Sequence, residues 1–150
     1  MPRTRYVKTP EQLAEFSRAY SNPIFAKSRG LSITFETDPE IVRELLPLPL
    51  EPAEKPLATV GVSRCGQSNC VGVFDGGSIN LACTFNGEPG LYCVTMPMST
   101  DTAIMFGREL FAEPKKQAQV QLLESENEVR GTITRHSITY IELVGSFDSP

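Results

Sequence analysis

Gly107-Arg108-Glu109-Leu110-Phe111-Ala112-Glu113-Pro114-Lys115-Lys116-Gln117 is the stretch on which the reading of this chain turns. A run ending at Leu110 reads as the last turn of a helix, and Pro114 stops any continuation. Two adjacent lysines then open a run, 116–124, that alternates as a strand. On a regular strand Lys115, Gln117, Gln119 and Gln121 share one face, and Lys116, Ala118, Val120 and Leu122 share the other. Pattern alone therefore puts Lys115 on a polar face and Lys116 on the apolar one. Lys115 can still face an interior if that interior is polar, or if a bulge follows Pro114. Glu113, two residues before Lys115, points the same way along an extended chain.

Working outward, the 150 residues are enough for a single domain with a sizeable core, and the net charge is −4. No basic stripe exists to neutralise phosphates, so a nucleic-acid partner is not expected. Apolar runs fall well short of a membrane span, and Met1 to Tyr6 lacks the apolar core of a signal peptide. The expectation is a cytoplasmic protein with no membrane partner. Four cysteines (Cys65, Cys70, Cys83, Cys93) and one histidine (His136) show no zinc spacing, so no metal is expected. Cys83 and Cys93 read as small buried hydrophobes within strands, Cys65 and Cys70 as exposed thiols beside a loop. His136 reads as a solvated turn residue.

Thr9-Pro10-Glu11-Gln12 predicts a capped helix over 10–20, with Leu13, Phe16 and Tyr20 on the face that packs. Leu31 to Glu36 alternates as a strand, and Asp38-Pro39 starts a second helix whose stripe is Ile41, Val42, Leu45 and Leu46. The four prolines of 47–56 predict a stiff extended connector. Strands are expected near 57–64, 70–75, 78–85 and 91–96, with turns at Asp75-Gly76-Gly77 and Asn86-Gly87. A helix from Asp101 to about Leu110 follows. Strands near 116–124, 128–135 and 138–144 complete the chain, the last two joined at His136-Ser137. The fold class is α+β with predominantly antiparallel strands: a cone-shaped barrel or strongly curved sheet with a few flanking helices.

Gly107-Arg108-Glu109 followed by Pro114-Lys115-Lys116, with Pro47-Leu48-Pro49-Leu50-Glu51, Phe85-Asn86-Gly87 and Gly131-Thr132 in the same order, resembles the acetoacetate decarboxylase family. The resemblance covers the N-terminal part of the family's longer chain. It implies a barrel whose lumen holds the first lysine of the pair, and a homo-oligomer. It also implies cofactor-free decarboxylation of a small β-keto acid through a Schiff base. The family is itself the standing example of a lysine activated for such chemistry by its surroundings. Lys115 is thereby the implied nucleophile and Lys116 its neighbour. The family's arginine falls within one residue of Arg29, and its two glutamates fall on Gly61 and Gly76, so both acids are missing. Met96 matches an apolar pocket position, and Glu113 is a candidate proton carrier.

A free lysine near pKa ~10.4 is neutral in only about one molecule in ~2,500 at pH 7. Making the amine dominant takes about 5 kcal/mol. A second ammonium at ~6 Å contributes about 3 kcal/mol at an effective dielectric of ~20. Burial must supply the rest. Without the acids, an aldolase- or dehydratase-type enzyme using the same lysine is the alternative, and a non-catalytic barrel binding a small ligand is the third reading.

Overall fold

The computed structural model describes residues 7–147. In chain order the elements are α1 (Pro10–Ser21), β1 (Phe25–Glu36), α2 (Pro39–Leu45), β2 (Glu51–Pro52), β3 (Leu57–Ser68), β4 (Phe74–Phe85), β5 (Glu88–Met98), α3 (Asp101–Phe111), β6 (Lys115–Gln117), β7 (Gln119–Glu124), β8 (Glu128–Arg135) and β9 (Ile138–Ser146). One sheet runs β1-β3-β4-β5-β6 with β2 on β4; the other is β7-β8-β9. All pairings are antiparallel except β5 with β6. The expected fold class holds as a mostly antiparallel assembly with three helices; among the described residues the strands do not close into a barrel.

Local chemistry sets the helix starts. Thr9 Oγ1 accepts from the Gln12 amide at 3.3 Å while Gln12 Oε1 accepts from the Thr9 amide at 2.9 Å, a reciprocal cap with proline next to it. Asp38 accepts from the Glu40 amide at 2.8 Å, and Thr100 from the Ala103 amide at 3.4 Å. The stripe on α1 stays largely open: Tyr20 stacks on Phe16 and meets Phe106 edge-on, while Leu13 remains exposed. On α2 only Val42 and the following Leu46 are buried.

Ala58, Val60 and Val62 of β3 pair with Leu81, Ile79 and Gly77 of β4, so these residues share one face of the larger sheet. The second sheet covers one end of that face through Val120, Ile133 and Ile141 around Val62. The other end is covered by α2, through Val42 and Leu46 against Ala58 and Leu81. The opposite face carries Gly61, Phe74, Gly76, Met96 and Met98, and α3 lies over part of it with Phe106 and Ala103. Parallel neighbours need a crossover, and α3 is the crossover from β5 to β6.

Four expectations are corrected. Asp75-Gly76-Gly77 is strand interior, not a turn; the chain turns at 69–73 instead. The glycines are there for close approach, since a Cβ on Gly76 would lie 2.7 Å from Met98 Sδ and one on Gly77 would lie 2.6 Å from the Gly61 carbonyl oxygen. Cys65 is buried within β3, its thiol donating to the Gln67 carbonyl at 3.2 Å. The run 116–124 is two strands broken at Ala118, where the chain leaves the first sheet for the second. Alternation placed Lys115 on a polar face and Lys116 on an apolar one; Lys115 is instead buried beside Met96 under α3, on the face opposite the cluster of Ala118, Val120 and Leu122, while Lys116 is exposed.

Helix α3 ends on Ala112 at φ 54°, a left-handed conformation that costs a residue with a Cβ about 1–2 kcal/mol. Ala112→Gly is expected to stabilise the fold by about 1 kcal/mol, a rise of about 2–4 °C in melting temperature. A fall in melting temperature counts against this account of the turn.

Candidate active site

The left-handed turn at Ala112 folds the chain back beneath α3. The Glu113 amide donates to the Gly107 carbonyl at 3.2 Å and the Lys115 amide to the Glu113 carbonyl at 2.7 Å. Pro114 cannot donate, and its carbonyl accepts from the Met96 amide at 3.1 Å, which seats Lys115 beside Met96 at the start of β6. Lys115 is 7% exposed and is the one charged side chain buried among the described residues. Its Nζ lies 2.8 Å from Glu113 Oε2.

Both groups press on Gly107. A Cβ there would lie 2.5 Å from Lys115 Cδ and closer still to Lys115 Nζ and Glu113 Oε2. A glycine inside a helix weakens it by about 1 kcal/mol, so its presence marks a tight packing requirement. Gly107 sits in the stretch first quoted; its packing role was not foreseen there, and the cost of a glycine inside a helix is the signal that could have found it.

The pair faces a cavity of about 380 Å³ walled by Phe25, Val71, Phe74, Met98, Phe106 and Phe111, with Pro23, Met96 and Ala103 completing it. A second concavity of about 430 Å³ continues along the same sheet face past Met96 and Met98, and Gly30, Ser32, Gly61, Ser63 and Ser78 line it.

The expected residues separate accordingly. Lys115, Glu113 and Met96 come together. Lys116 does not join them: it pairs with Pro97 on the ladder, is exposed, and points to the opposite face. Arg29 lies apart too, its Nη1 2.9 Å from Glu124 Oε2 and its side chain 71% exposed. The second cation near Lys115 that the resemblance implies is thus replaced by a carboxylate. Where the family's acids fall, Gly76 is filled over by the Met98 thioether and Gly61 opens onto the second concavity. Asp75, beside Gly76, faces the other way; its buried Oδ1 is 3.1 Å from Arg64 Nε without the alignment of a hydrogen bond. The aromatic wall was not foreseen, because Phe25, Phe74 and Phe106 come from three elements that only the tertiary fold unites.

Cys93 stands near Glu113. Burial pushes its thiol above the ordinary range; a hydrogen bond with the Thr95 backbone lowers it, and the Glu113 charge raises it again. The midpoint pH for iodoacetamide alkylation of Cys93 is expected above that of N-acetylcysteine and should fall in Glu113→Gln. Identical midpoints in both proteins would remove the charge from beside the thiol. Among the described residues no cluster of His, Cys, Asp or Glu is arranged to hold a metal, and no helix is long and apolar enough to cross a membrane.

An α+β protein of two packed sheets, with a buried lysine facing an apolar cavity on its larger sheet, is the class the fold and site define. Residues 4–150 match the family model for acetoacetate decarboxylase (ADC). The acetoacetate decarboxylase of Streptomyces nogalater is 33% identical over 109 residues, which is 73% of this chain and 44% of that protein. The crystal structure of acetoacetate decarboxylase from Legionella pneumophila superposes with a TM-score of 0.72 at 25% identity, over 78% of this chain and 46% of that one. The enduracididine biosynthesis enzyme MppR shares the fold at 18% identity, with a TM-score of 0.71 over 81% of this chain and 55% of its own. This chain belongs to the acetoacetate decarboxylase family, and it spans less than half the length of these two decarboxylases.

Proposed function

We propose that Lys115 forms a Schiff base with a small β-keto acid and that the protein releases carbon dioxide from it without a cofactor. The observation that carries this reading is a buried lysine ammonium 2.8 Å from a carboxylate at the edge of an apolar cavity. The pair must exchange a proton before the amine can act. Glu113 takes the proton from Lys115, the amine attacks the carbonyl carbon, and Glu113 returns the proton to the departing hydroxyl as water leaves. The iminium then accepts the electron pair of the breaking carbon–carbon bond, and carbon dioxide departs. A proton from solvent quenches the enamine at carbon, and water hydrolyses the iminium to free the ketone and the lysine.

An apolar wall favours the loss step, because a carboxylate is consumed and neutral carbon dioxide produced. In this reading the two sheets are part of the wall of a cone-shaped barrel, closed by the rest of the relatives' length or by a homo-oligomer.

Borohydride trapping with acetoacetate, mapped by mass spectrometry and paired with carbon dioxide release, tests it. An adduct at Lys115 with release is expected, and an unmodified Lys115 defeats the claim. Glu113→Gln should slow adduct formation about 100-fold and remove a limb of its pH profile. An unchanged profile would take the proton from some other group.

One observation favours a second reading. Both family acid positions are glycine and the remaining carboxylate sits at the amine, placed to remove a proton next to an iminium. An aldolase- or dehydratase-type enzyme would form the same adduct with pyruvate yet release no carbon dioxide from acetoacetate.

A further inference from the structure

We infer that the cavity beside Lys115 selects a carbonyl substrate carrying an apolar arm, an aromatic ring or an extended alkyl chain, in preference to a four-carbon keto acid. The inference rests on the Schiff-base reading above and names the substrate class for that site.

Three observations converge. The first is size: about 380 Å³ is room for roughly a dozen waters at ~30 Å³ each, well beyond acetoacetate. Pockets of about 300–1,000 Å³ ordinarily enclose much larger molecules.

The second is charge. Of the residues lining the cavity only Glu113 and Lys115 are polar, and they already neutralise one another. No further cation lines it, and Arg29 is engaged with Glu124 elsewhere. Polar substituents that stay on the substrate through the reaction have no partner there, so the part away from the carbonyl is apolar.

The third is the shape of the walls. Phe25 meets Phe74 at 88° with centroids 6.2 Å apart and meets Phe106 at 68° with centroids 6.1 Å apart. Such edge-to-face rings offer both faces and edges to an incoming ring, and the sulfurs of Met96 and Met98 add adaptable contacts on the sheet side. The neighbouring concavity, rich in glycine and serine, shares the two methionines but has no aromatic wall.

The test compares two methyl ketones that present the same reacting group: acetone and 4-phenylbutan-2-one. Each is titrated against the full chain with cyanoborohydride, and labelling of Lys115 is followed by peptide mass spectrometry. The aryl ketone should half-saturate labelling at a concentration about 100-fold lower than acetone. Phe25→Ala and Phe111→Ala, both at half-exposed positions and so compatible with folding, should each raise the aryl ketone's value about 5-fold and acetone's by less. Equal half-saturation by the two ketones overturns the apolar-arm inference and leaves the lysine chemistry standing. No label at Lys115 from either ketone overturns the lysine chemistry and this inference with it.

Discussion

Gly107→Ala is expected to keep the protein folded and to cut Lys115 adduct formation by at least about 100-fold. Helix α3 itself gains from the change, since alanine is favoured over glycine in a helix interior by about 1 kcal/mol. The new methyl, however, has no free space. It would lie 2.5 Å from Lys115 Cδ and nearer than that to Lys115 Nζ and Glu113 Oε2. All three atoms belong to long side chains, so the clash is relieved by swinging those side chains away, not by unfolding the helix. The melting temperature should stay within about 3 °C of the parent, the propensity gain offsetting residual strain. Reactivity has no such compensation, because displacing a reacting group by about 1 Å can cost 10²-fold. Thermal unfolding and borohydride trapping on the same preparation decide it. An adduct formed at the parental rate would mean that Gly107 is not what seats the lysine.

That glycine shows which features the sequence made legible. Helix starts were readable at Thr9-Pro10 and Asp38-Pro39 because caps are local chemistry, and each cap forms as read. The turns at Asn86-Gly87 and His136-Ser137 were readable for the same reason, and all four residues take positive φ. Asp75-Gly76-Gly77 was misread because a turn signal and a close-packing signal use the same residue. Only the neighbours Met98, Ile133 and Gly61 tell them apart, and they lie far away in sequence. The lysine pair carried the family resemblance, and alternation put Lys115 on the face opposite Ala118, Val120 and Leu122, where it lies; that α3 and residues distant in sequence bury this face at Lys115 and leave Lys116 in the open had no local mark. Glu113 was readable as a neighbour of Lys115. That it would pair with the ammonium depended on the left-handed Ala112, which nothing in the residue types announces.

Gly77→Ala should carry the largest effect on stability, about 3 kcal/mol, a loss of about 6–12 °C in melting temperature. Here the added methyl meets groups that cannot step aside. It would lie 2.6 Å from the Gly61 carbonyl oxygen, on the strand β3 with which Gly77 pairs, and closer still to Cδ1 of Ile133. Ile133 is 0% exposed, at the centre of the cluster joining the two sheets, so its side chain has no empty direction to move into. Relief requires the sheets to separate, which opens the contacts of Val62, Val120 and Ile141 together. Ile133→Val removes the obstructing methyl and by itself costs about 1 kcal/mol. Combined with Gly77→Ala it should lose about 1 kcal/mol less than the two single losses added, the remainder being the clash with the backbone oxygen. Simple additivity in urea unfolding would show that the methyl never meets Ile133, and that the two sheets approach less closely at Gly77 than the packing around it demands.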